Sequence, residues 1–497
     1  MPEMYRRRIG RLLLSGAAAC SLAACASVPG ADLTAGAPIT PEEAQLGAQA
    51  HEEFVAEFGG AMTGPQADYV SQVGQNIAVQ SGLANAPSAF RVTLLNSSVN
   101  NAFAVPGGYV YVTRQLVGLM NNEAELAGVL GHEVGHVAVR HSARRQQTAQ
   151  RNQLLGMLGQ VLAGAVLGDS ALGRGLGELA STAPQLATLS YSRNQEIEAD
   201  QLGIRYLNGA GYDPRAMATF LQSMAAQNAL DAAIKGSDAT IPEWASTHPD
   251  PASRVQNAAR LAASTTGTGT AGITNRDTFL TRIDGMMYDD DPAQGIIEGS
   301  AFLHPELRLA FTAPAGFYMI NGTRAVSING DAGRAQLSTG PYSNNLESYI
   351  AAVFQALGGQ TPLAPQSIQR TTVNGLEAAY GTARVNNGQQ SVDVVVFAYE
   401  FSNDQAFHFA AITPAGRAQV FTPMFNSMRR LSSAEAAEVV GRAIDVVTAG
   451  RGDTVQTLAN RMAYPDAKVE RFRVLNGLGA SDQLVAGQKY KIVVRRN

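Results

Sequence analysis

His132 and His136 stand four residues apart, with Glu133 beside the first, in the stretch GHEVGH (131–136). Four residues make little more than one helical turn, so both imidazoles share a face. At that spacing they can reach one ion, at the roughly 2.0–2.1 Å of a Zn–N bond. A carboxylate next to the first ligand can reach a water in the same place. It can take that water's proton and later pass it to a leaving amine. This is metal-assisted hydrolysis. The plainer reading is a pair of helix histidines with no metal.

A catalytic zinc needs a third protein ligand and an open fourth position. The stretch LSYSRNQEIEADQLGIRYLNGAGYDP (189–214) offers one. Ser192 followed by Gln195 reads as a capping box, and Gly211 as a stop. On that helix Glu196 and Asp200 are again four apart. Glu196 can be the third ligand. Asp200 can hold a ligand histidine by its second ring nitrogen. Glu198 lies about 200° around the helix from Glu196 and is expected to face elsewhere.

Five pieces in order resemble the HtpX, BepA and CAAX-prenyl-protease group of gluzincin peptidases, nearest its periplasmic BepA-like and LoiP-like branch. They are NAFAVPGGYVYV (101–112), LAGVLGHEVGHVAVRHS (126–142), YSRNQEIEADQLG (191–203), AGYDP (210–214) and PEWASTHPDPASR (242–254). The resemblance implies a zinc endopeptidase with one zinc per chain. It also implies a site-facing His248, as oxyanion donor or as a fourth zinc contact that keeps the enzyme latent. Arg254 either orients the same region or makes an ordinary salt bridge. Asn101 and Ala102 begin a strand whose edge can take an extended substrate by backbone pairing. His51, His141, His304 and His408 read as structural.

The metal residues need helices and a small sheet around them. Asn122 with Glu125 caps the GHEVGH helix, and Leu126, Val129, Leu130 and Val137 give it an apolar face. FRVTLLN (90–96) and GYVYVTR (108–114) are β-rich. Thr40 and Pro41 open a helix. The uncharged stretch LLGMLGQVLAGAVLG (154–168) is short for a membrane span and reads as a buried hairpin or a plug over the cleft.

The expected architecture is multidomain α+β. A mainly helical, zincin-type peptidase domain with a small sheet spans 41–262, followed by a Gly/Thr-rich linker at 263–275. From 276 to 435 short β-rich segments (307–314, 324–329, 376–385, 391–401, 406–413) and two helical stretches (346–357, 418–429) predict an antiparallel sheet domain. Its pattern resembles Mog1/PsbP-like sandwiches. Residues 442–497 read as strand, helix, helix, strand and resemble a LysM module, which implies peptidoglycan binding.

The N-terminus is a targeting segment. Arg6, Arg7, Arg8 and Arg11 precede the apolar LLLSGAAACSLAA (12–24), and LAAC ends at Cys25. That ending looks like a bacterial lipobox, which implies cleavage after residue 24, lipidation of Cys25 and a flexible tether over 25–40. An ordinary signal peptide is the alternative. Ala26 after the cysteine favours the outer membrane. Cys20 leaves with the signal, so the exported chain has no disulfide. Loss of four Arg and one Glu with residues 1–24 moves the formal charge from −4 to −7. An acidic chain without basic runs argues against nucleic acid. The expected function is an envelope endopeptidase for misfolded or stalled envelope proteins, on the periplasmic face of the outer membrane. The competing class is a latent or chaperone-like, wall-binding lipoprotein scaffold.

Overall fold

The computed structural model describes residues 37–84, 87–144, 191–235, 248, 251–266, 272–358, 362–386 and 391–496. Cys25, the signal segment and the apolar stretch 154–168 lie outside the described residues.

Helix α1 (Pro41–Glu57) starts where the caps place it. The Thr40 side chain accepts from the Glu43 amide, and the Glu43 carboxylate accepts from the Thr40 amide. After α2 (Pro65–Ala78) come β1 (Arg91–Leu95), β2 (Ala102–Val105) and β3 (Tyr109–Thr113). The sheet order is β1-β3-β2, with β1 parallel and β2 antiparallel to β3. The β2–β3 turn needs glycine: Gly107 has φ +91°, and a Cβ there would meet the Glu43 carbonyl at 2.4 Å. Thr113 caps α3 (Arg114–Leu119) and Asn122 caps α4 (Glu123–Ala138).

Helix α4 carries GHEVGH and is buried on nearly every side. Its burial all round and its glycines fit a central helix better than a surface one. Helix α5 (Arg193–Gly209) opens with the full Ser192–Gln195 capping box and stops before Gly211, at φ +80°. It packs on α4 through small residues. A Cβ on Gly135 would sit 3.2 Å from the Ala199 carbonyl, and one on Gly203 would sit 3.1 Å from the His132 amide nitrogen. Helices α6 (Ala216–Lys235) and α7 (Pro251–Thr266) complete this helical body.

The supposed linker at 263–275 is partly built in. Its first residues belong to α7, and Ile273 pairs with the 211–213 turn through Ile273 N to Gly211 O and Asp213 N to Ile273 O. At the other end, residues 37–39 of the supposed tether are docked, with the Ile39 amide bonded to the Leu83 carbonyl.

The sheet domain begins later than 276. Helix α8 (Arg276–Ile283) puts Phe279, Leu280 and Ile283 into the peptidase core, and β4 (Met287–Tyr288) pairs with a C-terminal strand. Then follow β5 (Ile296–Glu298), β6 (Ala301–His304), β7 (Leu309–Thr312), β8 (Tyr318–Asn321), β9 (Val326–Gly330), β10 (Gly333–Thr339), β11 (Ile368–Val373), β12 (Leu376–Asn386), β13 (Ser391–Ser402), β14 (Gln405–Pro414) and β15 (Arg429–Arg430). One sheet runs β11-β12-β13-β14-β10-β9-β8 and a smaller one β15-β7-β6-β5. Strand β13 shows why both faces are covered. Val394, Val396 and Ala398 pack under helix Leu346–Gly358, while Val395, Phe397 and Tyr399 join the opposite core with Phe311 and Phe425. The period of two places a core on each side.

The C-terminal unit has the expected strand–helix–helix–strand order: β16 (Gly441–Thr448), helices Val455–Ala459 and Lys468–Leu475, and β17 (Lys489–Arg496). It does not stand apart. Ile444, Phe472, Ile492 and Val493 belong to one continuous core with Leu116, Met120 and Phe220 of the peptidase body. Lys491 is fully buried, and its Nζ donates to the carbonyls of Gly118 (2.8 Å), Leu119 (3.3 Å) and Met120 at the end of α3. An ammonium is a good partner for carbonyls left open at a helix C-terminus.

Candidate metal centre

Helix α4 presents His132, Glu133 and His136, and α5 presents Glu196 and Asp200. The glycine-lined contact between them brings the two sets within reach. His136 Nε2 lies 3.0 Å from His132 Nε2 and 3.3 Å from Glu196 Oε1. His248 completes the group: its Nδ1 lies 3.3 Å from His132 Nε2 and 3.1 Å from Glu196 Oε1. One donor atom from each of His132, His136, Glu196 and His248 lies within 4.8 Å of the other three, and all four residues are buried.

The ring nitrogens test whether a cation fits. His132 Nδ1 is 2.9 Å from Asp200 Oδ1 and donates to it. The His132 Nε2 lone pair is therefore bare, and it faces the His136 Nε2. His136 turns its own Nδ1 away, to His141 Nδ1 at 2.8 Å. Two imidazole nitrogens pointing at one spot beside a carboxylate repel or compete unless a cation stands among them. Two or three imidazoles with one carboxylate form the donor set that zinc takes. The residues fit the ion.

Asp200 is not a ligand. Arg254 grips it with Nε to Oδ2 at 2.8 Å and Nη2 to Oδ1 at 2.6 Å, and donates its Nη1 to Glu196 Oε2. This fully buried Arg254 thus orients both acids. Burial acts to raise both carboxyls, but the neighbouring charges, His248 and Arg254 for Glu196 and Arg254 for Asp200, outweigh it and hold both below their ordinary values. For Glu133 burial wins and pushes the carboxyl up. Its Oε1 makes no hydrogen bond among the described residues and lies 3.4 Å from His248 Nε2. A buried carboxylate with one oxygen that makes no hydrogen bond is positioned to accept a proton.

Tyr191, His141 and Glu198 line the site from behind. The Tyr191 ring stacks on His136 at 3.8 Å and 16°. His141 contacts His136, and burial keeps it below its ordinary value and hence neutral. Glu198 does face away from the metal cluster, yet its Oε2 lies 3.1 Å from His141 Nε2. Helical periodicity hides His141, because it follows the end of α4. Arg140 sits at φ +50° there and turns the chain back. Asn101 and Ala102 are outside the four-residue cluster. They lead into β2, which is hydrogen-bonded on one side only, although all its side chains are buried. The Asn101 carboxamide finds no partner among the described residues.

Residues 65–262 match the model of peptidase family M48. That segment resembles the M48 peptidases. The chain is 35% identical over 193 residues to the "Beta-barrel assembly-enhancing protease" of Escherichia coli (strain K12), covering 38% of this chain and 37% of that protein. It is 34% identical over 162 residues to the "Mitochondrial metalloendopeptidase OMA1" of Arabidopsis thaliana, covering 32% and 29% respectively. It is 29% identical over 171 residues to the human "Metalloendopeptidase OMA1, mitochondrial", covering 34% and 32%. The matches thus span little more than a third of the bacterial relative's length. The family match over 65–262 contains all four clustered residues.

Proposed function

We propose that this chain is a zinc-dependent endopeptidase of the bacterial cell envelope that acts on misfolded or stalled envelope proteins. One observation carries the proposal. The His132, His136 and Glu196 donor atoms converge in a buried site beside a Glu133 carboxylate whose Oε1 makes no hydrogen bond among the described residues.

His132, His136 and Glu196 would hold a zinc ion, which would polarise the scissile carbonyl and make water more acidic. Glu133 takes a proton from water as the water oxygen bonds to the carbonyl carbon. It then delivers that proton to the amide nitrogen as the C–N bond breaks. Burial makes the Glu133 carboxyl a stronger proton holder than an exposed one, which suits a group that must carry the proton between the two steps. Asp200 and Arg254 keep His132 and Glu196 in register. Strand β2 supports an edge on which an extended substrate can pair.

The similarity to a bacterial beta-barrel assembly-enhancing protease supports this reading. Lipidation at Cys25 would hold the enzyme to the outer membrane, facing the periplasm. A LysM-like C-terminal unit would hold it near peptidoglycan. Neither role involves nucleic acid.

A second reading is a latent or chaperone-like scaffold. The observation that favours it is His248, whose Nδ1 already sits within the ligand group of a closed, buried site. The two readings separate in one assay, cleavage of casein by zinc-loaded protein. Glu133→Gln keeps its zinc and loses activity by about 10²–10⁴-fold. His248→Ala raises cleavage if His248 latches the site and lowers it if His248 steadies the oxyanion. A scaffold cleaves nothing in any of these forms.

A further inference from the structure

The two histidines on α4 are backed in different ways. His132 meets the buried Asp200 carboxylate directly. His136 meets another histidine, which then meets an acid at the surface. We propose that His141 and Glu198 are positioning residues that fix His136 through a His136–His141–Glu198 relay, separate from the Asp200–Arg254 clamp. This rests on the metal-site reading above.

Tautomer logic sets the direction of the relay. To offer its Nε2 lone pair to an ion, His136 must carry its proton on Nδ1. That proton points to His141 Nδ1, 2.8 Å away, which must accept and so be bare. A neutral His141 then carries its proton on Nε2, 3.1 Å from Glu198 Oε2, and donates to that carboxylate. Each link fixes the next, and the sum is one ring orientation for His136. Ligand histidines depend on such partners for orientation and basicity. Here the charge is one imidazole further from the ion than at His132. The Glu198 side chain is 42% exposed, while His141 is fully buried. The relay therefore runs from the surface to the ion's ligand.

The backbone is shaped for this contact. Arg140 adopts the left-handed region at φ +50°, which costs a non-glycine residue energy. It is held there by Glu43, which accepts from Arg140 Nε at 2.8 Å and from Nη2 at 3.2 Å, and by the carbonyls of Ala37 and Pro38. The turn swings His141 back against His136 instead of letting it continue around the helix. Gln195 Nε2 reaches the His141 carbonyl at 3.5 Å, and Arg144 Nη1 lies 3.3 Å from Glu198 Oε2. Tyr191 closes the other face of His136.

Zinc affinity, measured on the full chain by competition with a chromophoric chelator at one pH, tests the relay independently of activity. His141→Ala is expected to bind zinc about 10–100-fold more weakly than wild type. His141→Asn places an amide oxygen near the lost Nδ1 and is expected to restore most of the affinity. Glu198→Ala loses a smaller factor, at least threefold. The visible spectrum of the cobalt-substituted protein shifts in His141→Ala and returns in His141→Asn. A folded His141→Ala that binds zinc within twofold of wild type overturns the relay alone. If His141→Ala does not fold, Glu198→Ala decides, and unchanged affinity there overturns the proposal. A wild-type chain that binds no zinc overturns both the relay and the metal reading beneath it.

Discussion

Arg254 has the largest energetic stake of any single residue in the site. It lies buried between Glu196 and Asp200 and, among the described residues, is the guanidinium that grips both acids. Removing one partner of a buried ionic group leaves the others uncompensated, at a cost of about 3–5 kcal/mol. Arg254→Leu is therefore expected to lose that much stability in urea unfolding and to release its zinc. A variant as stable as wild type would show the clamp to be dispensable. The residue scale was also where the sequence was most legible. Glu196 and Asp200 followed from a spacing of four on a capped helix. His248 and Arg254 followed from family resemblance and not from spacing, since they come from a segment far along the chain. His141 was missed because the periodic rule ends with α4, and a left-handed Arg140 is not predictable from residue type.

At the scale of elements, caps were read correctly because each depends on a few neighbouring residues. Thr40, Asn122 and Ser192 each accept from the amide three residues on. Helix packing was less legible. The distance between α4 and α5 is set by Gly131, Gly135 and Gly203, which read in sequence only as breaks in an apolar pattern. Gly203→Ala would place a methyl 2.8 Å from Met217 Cε and 3.1 Å from the His132 amide nitrogen. Overpacking of this kind costs about 1–3 kcal/mol. Displacement of His132 from Glu196 is expected to weaken zinc binding as well, so both thermal melting and zinc competition should register the change. In the sheet domain, His408 gives a pH effect. It is buried with Tyr349 OH at 2.8 Å and Ser338 Oγ at 3.2 Å, and burial pulls its pKa down to about 4. The unfolded chain takes up a proton near pH 6.5 that the folded one refuses until about pH 4. Stability from this group is complete above pH 6.5, and about 3 kcal/mol is lost as the pH falls to 4. His408→Gln should flatten that part of the curve. An unchanged acid slope would mean that His408 is solvated.

Across the whole molecule, the sequence marked three units but not their joints. The strand–helix–helix–strand order at the C-terminus was readable from turns and periodicity. Its fusion to the peptidase body was not, because long-range packing leaves no local signal. Lys491 looks like a strand residue facing water, yet it caps the carbonyl end of α3. The chain segment before β4 likewise belongs to the peptidase core and not to the sheet domain. Deleting residues 441–497 removes Ile444, Phe472, Ile492 and Val493 from a continuous core. At about 1.5–3 kcal/mol per large buried side chain, that loss rivals the 5–15 kcal/mol that stabilises a typical domain. The truncated chain is expected to aggregate or to lose its cooperative melt, whereas a detachable wall-binding module could be removed without effect.

The effects on zinc binding presuppose one metal site built from α4 and α5. The direct measurement is zinc bound per chain, by elemental analysis of purified wild-type protein and of Glu196→Gln after identical dialysis. One zinc per wild-type chain is expected and well under one in the variant, with both folded. No zinc in the wild type, or equal zinc in both, would contradict it.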